Sequence, residues 1–210
     1  MHRALTPAVL AALVVAGCGG SSAVKEKTTT GSAAVVIEPD RALKAPGEAH
    51  EPAPEVALRD YLGHAFTLSS QRGKLVYITF VYAHCPDICP LILDALAETR
   101  RKLPDPSSAT IVAISVDPKG DTRAAVAQLL KRKRLVGTIH YLVGARAQLL
   151  PVWTAFRVKA SVDSSNPALV EHSAFVYAIT PKGIVRALYP AGSPLSVGDL
   201  LHDAPILLKQ

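Results

Sequence analysis

"LVYITFVYAHCPDICPLILDALAETRRKL", residues 75–103, changes its hydrophobic period once, and that change decides the fold. Residues 75–82 form an unbroken apolar, β-branched and aromatic run, which suits a strand buried on both faces. From 90 to 103 the apolar positions recur at helical spacing and stop before "PDPSS". Between strand and helix stand Cys85 and Cys89, each followed by a proline. They fall at the C-terminal end of a strand that the pattern puts at the sheet centre, where ligand sites in open α/β sheets gather. Proline is welcome at the first helical position, so Pro90 is expected there and Cys89 at the N-cap. Cys85 then sits in an extended loop before Pro86. The free N–H groups of the helix start are expected to face Cys89 and to favour its thiolate.

The remaining pattern alternates. "EVALRDYLGHAFTLSSQRGK" reads as two short strands around "YLGH". A second buried strand covers 110–117, a helix follows in "TRAAVAQLLKRKR", and another strand covers 138–144. "RAQLLPVWTAFRV" is helical, with Pro151 expected to kink or divide it. "SAFVYAIT" and "GIVRALYP" flank "PKG" as a closing hairpin, and "SVGDLLHDAPILLKQ" is a terminal helix capped by Ser196. The order resembles a thioredoxin-like α/β fold, with an N-terminal β-hairpin and a central mixed sheet flanked by helices.

The chain has 210 residues and a formal charge of +6, spread along its length, which suggests solubility and no nucleic-acid partner. The densest basic run, "KRKR" at 131–134, reads as a solvated helix C-terminus, where cations suit the dipole. The first residues are not fold. A short basic start precedes an apolar run too short to span a bilayer, which needs about 20 residues, and reads as a signal peptide over 1–17. It ends in "VAGC", which resembles a bacterial lipobox and implies cleavage before Cys18 and lipid attachment there. That places the protein outside the cytoplasm, periplasmic or on the outer face of the cytoplasmic membrane, anchored by lipid. Residues 18–54 are rich in Gly, Ser, Thr, Ala, Pro and charge and read as a tether, with "AAVVIEP" as its one sticky patch. Its mean span is on the order of 30–35 Å. The domain is expected over 55–210. About 155 residues bury roughly 70% of their unfolded surface, so stability requires no disulfide staple.

With Cys18 acylated, Cys85 and Cys89 are the only pair left. Three residues separate them, where dithiol oxidoreductases of the thioredoxin type carry two. Two soft sulfurs with a third donor suit a soft ion such as Cu(I); zinc more often takes four ligands. A structural disulfide, a redox pair and a pair of metal ligands all stay open on this spacing. Among the seven histidines, His172 starts a strand after the polar loop "SVDSSNPA", at a sheet end expected beside the cysteine loop. His140 lies inside a strand, and His84 is expected to point away from the site.

"TFVYAHCPDICP", then "ISVDPKGDT" and then "EHS" resemble the Sco/SenC copper proteins. These are membrane-tethered thioredoxin-fold proteins that help assemble the binuclear copper site of cytochrome c oxidase. The resemblance covers most of 55–190. It implies Cys85, Cys89 and His172 as ligands for Cu(I) or Cu(II), and the oxidase copper-site subunit as recipient. Other copper chaperones or thiol reductants are further expected partners. Asp87 matches the family's acidic position between the cysteines, and Asp117 an acid near the site; Asp117 equally suits a turn before Pro118. Arg123 stands where the family commonly has Pro, and Thr180 where it commonly has Asp. The resemblance leaves a second role open, a thiol–disulfide reductase acting through Cys85 and Cys89. No peroxiredoxin-type Thr-x-x-Cys arrangement precedes Cys85, since Tyr82 stands there.

Overall fold

The computed structural model describes residues 43–45, 47–162, 170–172, 175–190 and 195–210, within a compact unit spanning Pro39–Gln210. Cys18, the expected signal peptide over 1–17 and the 33–39 patch lie outside the described residues. The two longest central strands, β4 (Leu75–Val81) and β5 (Ala109–Ser115), are buried at every position and run parallel in register, Leu75 beside Ala109 through Val81 beside Ser115. Their continuous apolar sequence is what a strand covered on both faces requires. β6 (Ile139–Val143) continues the parallel set beyond β5. A hairpin of β2 (Ala57–Asp60) and β3 (Ala65–Thr67) adds to β6, its turn closed by Gly63 at φ 97°.

On the other side of β4 lie β9 (Phe175–Ile179) and β10 (Ile184–Pro190), the expected closing hairpin. The sheet ends in β1 (Gly47–Pro52), antiparallel to β10, which gives the order β1-β10-β9-β4-β5-β6-β2-β3. β1 falls inside the stretch expected to be tether. Its sequence, GEAHEP, has no apolar period. Only its position beside β10 makes it a strand, with the Arg186 guanidinium donating to the Ala49 carbonyl at 3.1 Å. A separate ribbon pairs β7 (Ala160–Val162) with β8 (Val170–His172).

Helix α1 (Ile88–Lys102) buries Cys89, Ile92, Leu93, Leu96 and Thr99, the i, i+3, i+4, i+7 stripe of a one-sided helix. It packs on β5 and on α4 (Val197–Leu207), whose Ser196 cap accepts the Asp199 N–H at 3.1 Å. α2 (Arg123–Arg132) is capped by Thr122. α3 (Arg146–Ala155) runs through Pro151 as one element. A proline there removes one backbone bond, and the burial of Leu149, Val152 and Trp153 holds the helix across it.

Candidate metal centre

β4 delivers the chain to the site. Its ladder ends where the Val116 N–H donates to the Val81 carbonyl at 2.9 Å. Tyr82 and Ala83 remain buried beyond it, and the Cys85 N–H turns back to the Tyr82 carbonyl at 3.2 Å. Helix α1 then begins at Ile88 with Asp87 as N-cap, so Cys89 is its second residue and Pro90 its third. This differs from the expectation that Cys89 caps the helix and Pro90 opens it. The first four N–H groups of a helix have no partner inside it, so a proline anywhere in the first turn sacrifices no helical bond.

The shift reverses the roles of the two cysteines. Cys85 is half-buried, and its Sγ accepts the Cys89 N–H at 3.4 Å. The Cys89 thiol, the Asp87 and Cys89 backbone N–H groups and the Tyr82 side chain all hydrogen-bond to it, and they hold the Cys85 thiol down to about 6 against the pull of burial. Cys89 is fully buried. Its bond to Cys85, its burial and the neighbouring Cys85 charge push its thiol well above the ordinary range. No disulfide joins the two sulfurs, and the opposite shifts put the negative charge on Cys85 and the retained proton on Cys89. The Cys89 thiol first, and the backbone N–H groups of the helix start after it, favour the Cys85 thiolate.

Asp87 is exposed at the N-cap and contributes its backbone rather than a side-chain cap. Asp117 shapes a turn. Its Oδ1 accepts the Gly120 N–H at 2.9 Å and the Lys119 N–H at 3.2 Å, and its carbonyl accepts the Asp121 N–H at 2.9 Å. A Cβ at Gly120 would stand 2.0 Å from Asp117 Oδ2 and would push that carboxylate out of the turn. The acid that reaches the cysteine loop is Asp121, which the sequence reading passed over. It is buried, and its Oδ1 accepts the Ala83 N–H at 2.6 Å while its Oδ2 accepts the Tyr141 hydroxyl at 2.9 Å. "DPKGD" carries two acids four apart, and only burial tells which one turns inward.

His172 closes β8, with its backbone beside Ala160 of β7. β9 starts three residues later, and its register, Val176 beside Thr79, puts that start at the cysteine end of β4. Among the described residues no set of three His, Cys, Asp or Glu side chains is grouped to hold a metal. The two sulfurs are the described donors, and soft thiolates suit a soft ion. His140 is exposed on β6 with its ring tilted against Phe66, centroids 5.2 Å apart, and His84 is exposed between β4 and α1. Arg123 is the exposed first residue of α2, and Thr180 is buried in the β9–β10 turn, where its hydroxyl accepts the Ile184 N–H at 3.3 Å.

The profile described as SCO1/SenC matches residues 45–198. The chain belongs to the SCO1/SenC family. That match takes in β1, both cysteines, Asp117, Asp121 and His172. Among SCO relatives, the chain is 32% identical over 143 residues to the mitochondrial SCO2 homolog of Bos taurus, covering 64% of this chain and 52% of that protein. It is 30% identical over 154 residues to a SCO2-like protein of Rickettsia conorii, covering 70% and 73%. It spans about half the length of the mitochondrial SCO proteins it matches. The copper-bound structure of Bradyrhizobium japonicum ScoI superposes with a TM-score of 0.65 at 28% identity, over 75% of this chain and 99% of that one. The thioredoxin-like α/β fold is that of solved Sco proteins. Among the described residues, no helix of this SCO1/SenC chain is long and apolar enough to cross a membrane.

Proposed function

We propose that this protein is a copper metallochaperone of cytochrome c oxidase assembly, which carries Cu(I) or Cu(II) on Cys85, Cys89 and His172 and passes it to the oxidase subunit with the binuclear copper site. The observation that carries the reading is the asymmetric dithiol at the start of α1, in a chain whose relative, ScoI, has been solved with copper bound. Copper here is cargo. The Cys85 thiolate, available at neutral pH, makes the first bond, and the Cys89 thiol loses its proton as the second sulfur joins. The His172 imidazole supplies the third donor. Ligand exchange onto the recipient's own thiolates then releases the ion.

Signal cleavage and lipidation at Cys18 would hold the domain outside the cytoplasm in the recipient's membrane, with the residues from 19 up to the Lys44–Ala45 contact with Asp203 as the tether. An oxidised pair binds no copper, so an external thiol reductant is an expected partner.

The test is copper titration of the reduced protein, followed by stoichiometry and visible absorption, beside Cys85→Ser/Cys89→Ser and His172→Ala. One tightly held copper per chain, abolished by the double serine variant and weakened by His172→Ala, is the expected result. Copper uptake no greater than in the double variant would sink the reading. The same low Cys85 thiol would then point to reduction of a partner's disulfide.

A further inference from the structure

We propose that Asp121 is a positioning residue, whose carboxylate holds the Cys85 loop against β5 and β6 so that Cys85 meets the first turn of α1. The inference rests on the reading that Cys85 and Cys89 are the working pair. Ala83 lies beyond the last ladder bond of β4, at Val81, so strand pairing does not hold it. Its N–H goes to Asp121 Oδ1 at 2.6 Å. The other oxygen takes the Tyr141 hydroxyl from β6 at 2.9 Å, and the Ser115 hydroxyl at the end of β5 donates as well. One carboxylate, 6% exposed, thus ties the loop after β4 to the end of β5 and the middle of β6, two residues before Cys85. Asp121 is itself set by the Asp117 turn, whose carbonyl receives its N–H. Burying an acid is costly, and one that receives three hydrogen bonds gains orientation in return.

At pH 5 the Asp121 acid, raised to about 6, is largely uncharged, so the reactivity of Cys85 read there reports the loop geometry and not the Asp121 charge. Loss of the loop geometry takes Cys85 from its N–H and S–H donors and makes it less reactive. Asp121→Leu fills the space and offers no acceptor. Asp121→Asn keeps an oxygen for the Ala83 N–H and an NH2 group that donates to the Tyr141 oxygen.

The experiment compares both variants and Tyr141→Phe with the wild-type apoprotein. It reads amide hydrogen exchange at Ala83 and iodoacetamide alkylation of Cys85 at pH 5, by peptide mass spectrometry. In Asp121→Leu we expect exchange at Ala83 to quicken by about tenfold or more and Cys85 alkylation to slow by about fivefold or more. Asp121→Asn and Tyr141→Phe are expected to retain Ala83 protection, with Cys85 alkylated at the wild-type rate or faster. Unchanged exchange and alkylation in Asp121→Leu, with only a lowered Tm, would overturn the proposal. Asp121→Asn behaving as Asp121→Leu would also overturn it. Should Asp121→Leu fail to fold, faster Ala83 exchange in Asp121→Asn overturns it and wild-type exchange supports it. No copper enters these measurements, so a wild-type protein that bound none would sink the chaperone reading and leave this test standing.

Discussion

Cys89→Ala removes the thiol whose hydrogen bond is the largest cause holding the Cys85 thiol at about 6. The backbone N–H groups of residues 87 and 89 remain, so Cys85 does not return fully to 9.0, its ordinary value. A rise to about 8 is the expected result. The rate of alkylation follows the thiolate fraction multiplied by intrinsic nucleophilicity, and the two move oppositely. At pH 5 the thiolate fraction falls about 90-fold, while nucleophilicity rises about 6- to 10-fold for a Brønsted slope of 0.4–0.5. Alkylation of Cys85 at pH 5 therefore slows about tenfold. Near pH 7 the two effects nearly cancel, and at pH 9 the variant reacts about sevenfold faster. The informative quantity is the crossing of the two profiles, read by mass spectrometry of the Cys85 peptide after timed iodoacetamide quenching. Cys89 is fully buried, so the lost sulfur leaves a small cavity costing about 1 kcal/mol. Circular dichroism checks that the fold survives. Superimposable profiles, or a variant slower at every pH, would refute the hydrogen-bond origin of the Cys85 thiolate.

Copper loading at pH 7.5 should release about one proton per ion, because Cys85 is already a thiolate and Cys89 is not; pH-stat titration measures it, and release of two would contradict the asymmetry. Burial raises the Asp121 acid from 3.8 to about 6. The folded state then binds more protons than the unfolded one between those values, and its stability should decline from pH 4 to 6 by about 2 kcal/mol from this group. Asp121→Asn should flatten that part of a urea-denaturation pH series, and an unaltered series would contradict the raised acid. Asp203 is fully buried and accepts the Lys44 N–H at 2.7 Å, the Ala45 N–H at 2.9 Å and the Tyr189 hydroxyl at 2.7 Å. Asp203→Ala should cost about 3 kcal/mol and open Leu43–Ala45 to proteolysis; wild-type Tm and cleavage pattern would refute the latch.

Periodicity made much of the sheet legible. β4 and β5 are largely apolar because both their faces are covered. α1 was legible from its Ile92, Leu93 and Leu96 stripe, and the Ser196 cap from its place before an apolar period. β1 was not legible, because an edge strand buries little and GEAHEP becomes a strand only when β10 stands beside it. The start of α1 was misplaced by two residues, since a proline's missing N–H leaves three positions of a first turn almost equivalent.

Sequence pattern pointed to the residues proposed to carry the chemistry: two cysteines between a buried strand and a one-sided helix, with a distant histidine in a family pattern. Period and punctuation, written residue by residue, placed the two cysteines; the histidine came from the family resemblance. Tertiary structure alone decided which sulfur holds the charge and which acid supports it. Both answers depend on burial and on N–H directions set by elements far apart in the chain. Cys85 gains its donors only when the turn at 85–89 closes on α1, and Asp121 is chosen over Asp117 only when β6 brings Tyr141 to it.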